Sequence, residues 1–382
     1  MKRFIPFNRP FVVGTELENI QKAIAIGHLS GNGPFTKQCQ AWIEQRMGCA
    51  RALLTHSCTA GLEMAALLTE VGPGDEVIMP SFTFVSTANA FVLRGATAVF
   101  VDVRPDTLNL DESRIEAAIT GRTRAIVPVH YAGVGCEMDE ICRIAARHGL
   151  FVVEDAAQGV MATYKGRPLG SIGDAAAISF HETKNVTAGE GGALVVNRKA
   201  WAERAEILWE KGTNRTLFAR GQVDNYSWID LGSSFLPSEI SAAFLWAQLE
   251  HAEEITRMRL AIWDVYHRAL APLEAAGVLR RPVVPSTCTQ NAHMYYVLVA
   301  EPRTRAGLLD QLKERGVNAV THYVPLHSAP GGRRFGRSSG PLDVTDSVAD
   351  RLVRLPLWAG MTDADTSAVV HAVAAWAGSI AS

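Results

Sequence analysis

Four clusters of polar or reactive residues stand at the ends of short apolar runs, and together they suggest one kind of chemistry. After Leu53-Leu-Thr55 comes His56-Ser-Cys-Thr-Ala-Gly61. Small hydroxyl residues and free backbone N–H groups at a helix start can hold an anion, because the helix dipole and the unpaired donors face the same way. Ser57 or Thr59 serves equally well as a plain N-cap. Next is Pro80-Ser-Phe-Thr-Phe84-Val-Ser-Thr87, where an aromatic could stack on a flat ring or simply pack between strand and helix. In Phe151-Val-Val-Glu-Asp155-Ala-Ala-Gln158 a carboxylate closes a buried strand, an expensive placement unless it is paired. A protonated ring nitrogen would pair with Asp155, with Gln158 free to bond a nearby ring substituent; a capping role in a turn explains Asp155 as well. Last comes Ser179-Phe-His-Glu-Thr-Lys184, running into the Gly-rich Ala188-Gly-Glu-Gly-Gly192. A lysine amine titrates near 10.4, and once deprotonated it can form a Schiff base with an aldehyde.

An anion cradle, a ring stacker, a carboxylate for a pyridinium and an amine for an aldehyde are the requirements of one cofactor, pyridoxal 5′-phosphate (PLP). The elements that would position them follow a βα alternation. Strands are expected at Glu76-Val-Ile-Met79, Ala98–Asp102, Ala125–His130, Leu150–Glu154, Ala175–Phe180 and Ala193–Val196, with helical period in Asp139–His148. Runs apolar on both faces and separated by helices predict a mostly parallel sheet covered by helices, an α/β fold. Ligands bind such sheets beyond the carboxyl ends of the strands. From Pro237, taken as the first helical turn, one long helix is expected through Met258, Ile262 and Tyr266. Beyond it a strand at His293–Ala300, a helix at Arg305–Arg315 and a further segment at Ala319–Tyr323 read as a smaller α+β domain. The expected division is a large cofactor-binding domain over 1–250 and a small C-terminal one over 251–382.

Composition narrows the partners. The 382 residues carry 37 Lys plus Arg against 39 Asp plus Glu, net −2, and 48% are hydrophobic. A large core is implied, with no basic footprint for nucleic acid. Met1-Lys-Arg-Phe-Ile-Pro does not resemble a signal peptide, and no apolar run has membrane-spanning length, so a cytoplasmic location is expected. The six cysteines, at 39, 49, 58, 136, 142 and 288, show no metal-ligand spacing, and no metal is expected.

Taken in order, Ser57-Cys-Thr-Ala60, Pro80–Phe84, Glu154–Gln158 and Ser179–Gly192, with His322-Tyr-Val-Pro-Leu-His327 and Arg354-Leu-Pro-Leu357, resemble the DegT/DnrJ/EryC1/StrS sugar aminotransferases. The resemblance covers nearly the whole chain. It implies the PLP-dependent fold type I (aspartate aminotransferase-like), with Lys184 as the Schiff-base lysine and Asp155 at the pyridine nitrogen. It further implies Gln158 near the ring hydroxyl, Phe84 on the ring face, and Cys58, Thr59 and Ser179 at the phosphate. A homodimer with shared active sites is implied too. Ser81–Phe91, His181–Asn185, Lys211–Arg215 and Gly232–Pro237 are similar to one subgroup, the dTDP-4-amino-4,6-dideoxygalactose transaminases. That likeness implies amination of dTDP-4-keto-6-deoxy-D-glucose at C4 with L-glutamate as donor, and Asn214, Arg215, Tyr323 and His327 would shape the sugar site. The alternatives are a nucleotide-linked 3-keto sugar as acceptor, a PLP-dependent dehydratase (which in this family replaces the lysine by histidine), or a non-catalytic regulatory homologue. One departure stands out: where many members have Gly-Tyr-Asn-Tyr-Arg, this chain has Leu231-Gly-Ser-Ser-Phe-Leu-Pro-Ser-Glu239. The Asn that reaches the neighbouring subunit's phosphate is missing, with Asn225 or Ser234 as candidate substitutes.

Overall fold

The β-branched runs pair as the alternation predicts. In the computed structural model, which describes residues 4–381, eight strands form one sheet in the order Arg51–Thr55, Gly192–Val196, Ala175–Ser179, Phe151–Asp155, Thr123–Ile126, Glu76–Pro80, Thr97–Val101 and Gly336–Ser338. All neighbours are parallel except Gly192–Val196, which runs antiparallel to both strands beside it. The exception matters for the site. A short connection joins Ala175–Ser179 to Gly192–Val196 without a crossover helix, so the chain must reverse, and Lys184 lies in that reversal. Alternate strand residues enter different cores, Val77 and Met79 on one face and Ile78 on the other. Both faces are therefore buried, and helices such as Cys58–Leu68 and Met138–His148 supply the cover.

The expected strand Ala125–His130 stops at Ile126, where Pro128 lies just ahead and cannot donate to a ladder. The single long helix is two, Glu239–Glu250 and Ala252–Ala269, meeting at a non-helical His251 (φ −110°, ψ 13°). The break redirects the chain: Leu245 and Leu249 pack under the large sheet, whereas Ile262, Trp263 and Tyr266 enter a second core. Pro237 lies outside the helix, and Ser238 is its cap, Oγ accepting from the Ser241 amide at 3.3 Å.

That second core surrounds an antiparallel sheet of Leu279–Arg280, Tyr295–Val299 and Leu352–Leu355. Helices Ala252–Ala269, Arg305–Glu314 and Asp363–Ala381 cover it. The segment Ala319–Tyr323 runs beside this sheet through a single bridge, Val320 with Arg354. The two halves exchange segments: Ile5 packs into the second core, and Gly336–Ser338 extends the large sheet. No helix among the described residues is long and apolar enough to cross a membrane.

Candidate active site

A cavity of about 400 Å³ opens beyond the carboxyl ends of the central strands, and the four clusters meet on its walls. Cys58, Thr59, Phe84, Asp155, Gln158, Ser179, Lys184 and Tyr323 all line it.

At one end Ser57 caps the eleven-residue helix Cys58–Leu68, its Oγ accepting from the Ala60 amide at 3.1 Å. The amides of Cys58 and Thr59 lie in the first turn, where no intrahelical acceptor exists. The Thr59 and Ser86 hydroxyls pair at 2.8 Å, and Ser179 completes the wall. Gly192 lets the strand pass directly behind this turn, because a Cβ there would collide with the Cys58 backbone. Free amides and hydroxyls at a helix start suit a phosphate.

Asp155 ends its strand with both oxygens engaged. Oδ1 accepts from the Ala157 amide at 3.1 Å and Oδ2 from the Thr87 hydroxyl at 2.7 Å. Gln158 is fixed from both ends, Oε1 accepting from the Ala132 amide at 2.6 Å and Nε2 donating to the Tyr323 hydroxyl at 3.1 Å. Tyr323 itself has φ +39°, backbone strain that a packed site must hold in place. Phe84, 58% exposed, projects at the cavity's edge.

Lys184 faces this space, and among the described residues no hydrogen bond or ion pair engages its amine. Burial pushes the amine below its ordinary range; nearby Cys58 and Asp155 oppose the shift, and the Arg354 charge adds to it. The donor set therefore fits PLP: an anion cradle at one end, an oriented carboxylate, and an amine held toward its uncharged form.

Other expected residues lie elsewhere. His327 turns away, its Nδ1 bonding the Ser81 hydroxyl at 2.8 Å and its Nε2 lying 3.3 Å from Asp346. Asn214 and Arg215 start a short outer helix, Arg215–Ala219, with the Asn214 side chain accepting from the Ser227 amide at 2.7 Å. Neither lines the cavity of its own chain. Ser234 bridges Glu210, also outside it. Conversely, His293, His322 and Arg354 line the cavity without having been singled out. They come from the far half of the chain, and no local spacing marks them as site residues, although His322 and Arg354 open the His322–His327 and Arg354–Leu357 motifs.

A PLP-dependent aminotransferase is the class that this fold and this cavity define. The chain belongs to the DegT/DnrJ/EryC1/StrS aminotransferase family, whose model matches residues 12–374. It is similar to the spore coat polysaccharide biosynthesis protein SpsC of Bacillus subtilis, 35% identical with 97% of this chain and 96% of that one covered. Among solved structures, the aminotransferase TlmJ of Streptoalloteichus hindustanus superposes with a TM-score of 0.90 at 30% identity, over 99% of this chain and 100% of the other. DesV of S. venezuelae superposes with a TM-score of 0.86 at 32% identity, over 95% and 94%.

Proposed function

We propose that this enzyme moves an amino group from L-glutamate to C4 of dTDP-4-keto-6-deoxy-D-glucose, giving a dTDP-4-amino-4,6-dideoxyhexose. Transamination rests on one observation above the rest: the unpaired amine of Lys184, its pKa lowered by burial, in the same cavity as the oriented Asp155 carboxylate. When bound, PLP supplies an aldehyde that captures amines and a protonated ring that draws electrons from the donor's Cα. Cys58, Thr59, Ser57 and Ser179 would hold its phosphate, Asp155 its ring nitrogen, Gln158 its ring hydroxyl and Phe84 its ring face. Lys184 Nζ takes the proton from the donor's Cα and later returns one to the sugar's C4.

The choice of acceptor rests on the subgroup likeness of Ser81–Phe91, His181–Asn185, Lys211–Arg215 and Gly232–Pro237. Similarity to SpsC supports a role in polysaccharide biosynthesis, and a cytoplasmic location is part of this proposal. A homodimer belongs to the same proposal. The outer segment that carries Asn214 and Arg215 also exposes Trp228 (79%), Ile229 and Leu231, an apolar surface suited to a partner that would receive the two polar residues. Sedimentation of a monomer at micromolar concentration would contradict it. Incubation with PLP, L-glutamate and the 4-ketosugar, read by NMR, tests the reaction. Nitrogen at C4 supports the assignment, and the H3–H4 coupling separates galacto from gluco products. No sugar amination, in a protein whose cofactor band still responds to glutamate, would retain the aminotransferase and discard this acceptor.

A further inference from the structure

The loop 290–293 enters the large half of the molecule from the small one, and it is held there under strain. Ala292 has φ +51°, a left-handed conformation that costs a residue with a side chain. Arg259, buried in the helix Ala252–Ala269, donates to two carbonyls of this loop, Nε to Ala292 at 3.0 Å and Nη2 to His293 at 2.8 Å. No carboxylate balances its charge, and burial, with Arg354 nearby, brings the guanidinium down to about 9. Strain of this kind collects where a structure must hold a site in place.

What the loop delivers is Asn291, which is buried. Its Nδ2 donates to the Gln158 carbonyl at 2.8 Å and to the Val160 carbonyl at 2.7 Å, and its Oδ1 accepts from the His293 amide at 2.9 Å. Its own carbonyl accepts from Asn185 Nδ2 at 2.7 Å, while Asn185 Oδ1 meets His293 Nδ1 at 3.2 Å. Gly133 packs so closely that a Cβ there would collide with Asn291 Oδ1, and the adjacent Ala132 amide holds the Gln158 side chain. Asn185 directly follows Lys184, and Gln158 stands three residues after Asp155. The neighbouring strands Phe151–Asp155 and Ala175–Ser179 have ended before either position, so Lys184 and Gln158 need a link outside the sheet. Neither Asn185 nor Asn291 lines the cavity.

We propose that Asn291 is a positioning residue for transamination: through Asn185 on one side and the Gln158 backbone on the other, it sets the distance of the Lys184 amine from Asp155 and Gln158. The role rests on the aminotransferase reading given above. All three groups would meet one rigid ring, and a misplacement of about 1 Å costs on the order of 10²-fold in rate.

Asn185→Ala, Asn291→Ala and the double variant test this. In single turnover with glutamate alone, each single variant should slow the change in the cofactor band about 10- to 100-fold. PLP should bind each apoenzyme about ten-fold more weakly. A residue that only stabilised the fold would lower the amplitude of the signal and leave its rate constant unchanged. Because both amides act through one loop, the double variant should stay within about three-fold of the slower single one. Unchanged rate constants, or PLP affinity equal to wild type, overturn the proposal. Effects that multiply in the double variant overturn it too, since they assign two separate roles. Should Asn291→Ala not fold, Asn185→Ala carries the rate and affinity arms alone, under the same criteria. Variants that match a wild type active with glutamate discard the clamp alone; a wild type that neither binds PLP nor responds to glutamate discards the aminotransferase reading with it. No ketosugar enters any arm, so failure of the acceptor assignment leaves this result standing.

Discussion

The Thr87 hydroxyl donates to Asp155 Oδ2 at 2.7 Å, and the Thr83 hydroxyl lies 2.8 Å behind it, so a chain of two buried hydroxyls aims the carboxylate. Thr87 sits in the helix Val85–Val92, one turn beyond Phe84, which ties the ring face and the ring-nitrogen partner to one element. Thr87→Val keeps the shape and removes the donor. A carboxylate losing one of its two hydrogen bonds is left about 1.5–3 kcal/mol worse off, so PLP affinity should fall about ten-fold or more. Thr87→Ser should recover most of it. Equilibrium titration of the apoenzyme with PLP, followed by absorbance, measures both.

Lys184→Ala should lose about 10³-fold or more in turnover, the scale of a missing acid–base group, with glutamate no longer changing the cofactor spectrum. Its fold should persist, because the Lys184 amine makes no hydrogen bond or ion pair with the described residues. Single-turnover spectra with glutamate alone, then with ketosugar alone, examine each half separately. Appreciable rates in either half would remove Lys184 from the mechanism.

Much of this site was legible because it is local. Ser57–Thr59, Phe84, Asp155, Gln158 and Lys184 each follow an apolar run, and a parallel sheet brings all such ends to one rim. The place of His293, His322 and Arg354 in the cavity was not legible, even with His322 and Arg354 inside quoted motifs, since it depends on how the antiparallel sheet of the second half docks, a relationship without periodicity. Nothing in Leu352–Leu355 alone says which side chain meets the cavity. The break at His251 was hidden for a related reason: helical spacing continues across it, and only the existence of two separate cores requires the turn.

Glu76, at the start of the strand Glu76–Pro80, links the two halves by reaching Arg337 on the edge strand two places away. It accepts two bonds from Arg337 (3.1 and 2.8 Å), one from Arg122 (2.5 Å) and one from the Thr120 hydroxyl (2.8 Å). Chiefly through Arg337, and against the effect of its burial, its carboxyl is pulled from an ordinary 4.5 down to about 2. A depressed carboxylate adds stability above its unfolded pKa and loses it as pH falls toward the folded one. Glu76→Gln should therefore cost about 1–2 kcal/mol at pH 7, and the gap from wild type should close between pH 4.5 and 2. Urea midpoints of both proteins across that range check it; a constant gap would show that charge plays no part.

His293 works in a different window. The Asn185 amide nitrogen donates to the Asn291 carbonyl at 2.7 Å, which turns the Asn185 oxygen toward His293 Nδ1 at 3.2 Å. Nδ1 therefore carries the proton of a neutral ring. Burial, then the charges of Lys184, Arg259 and Arg354, hold this histidine well below its ordinary 6.5, and His322 is depressed by burial and two of the same charges. Once pH drops below 6.5 the unfolded chain binds protons that the folded chain refuses, so stability must fall with pH. Each ring contributes a slope of up to about 1.4 kcal/mol per pH unit. His293→Gln removes one of the two rings and should flatten the fall between pH 6.5 and 5, while leaving the slope above pH 7.5 unchanged. Chemical denaturation at half-unit steps would show it. An identical slope in wild type and variant would mean that His293 is already charged in the folded protein, contrary to the cations that surround it.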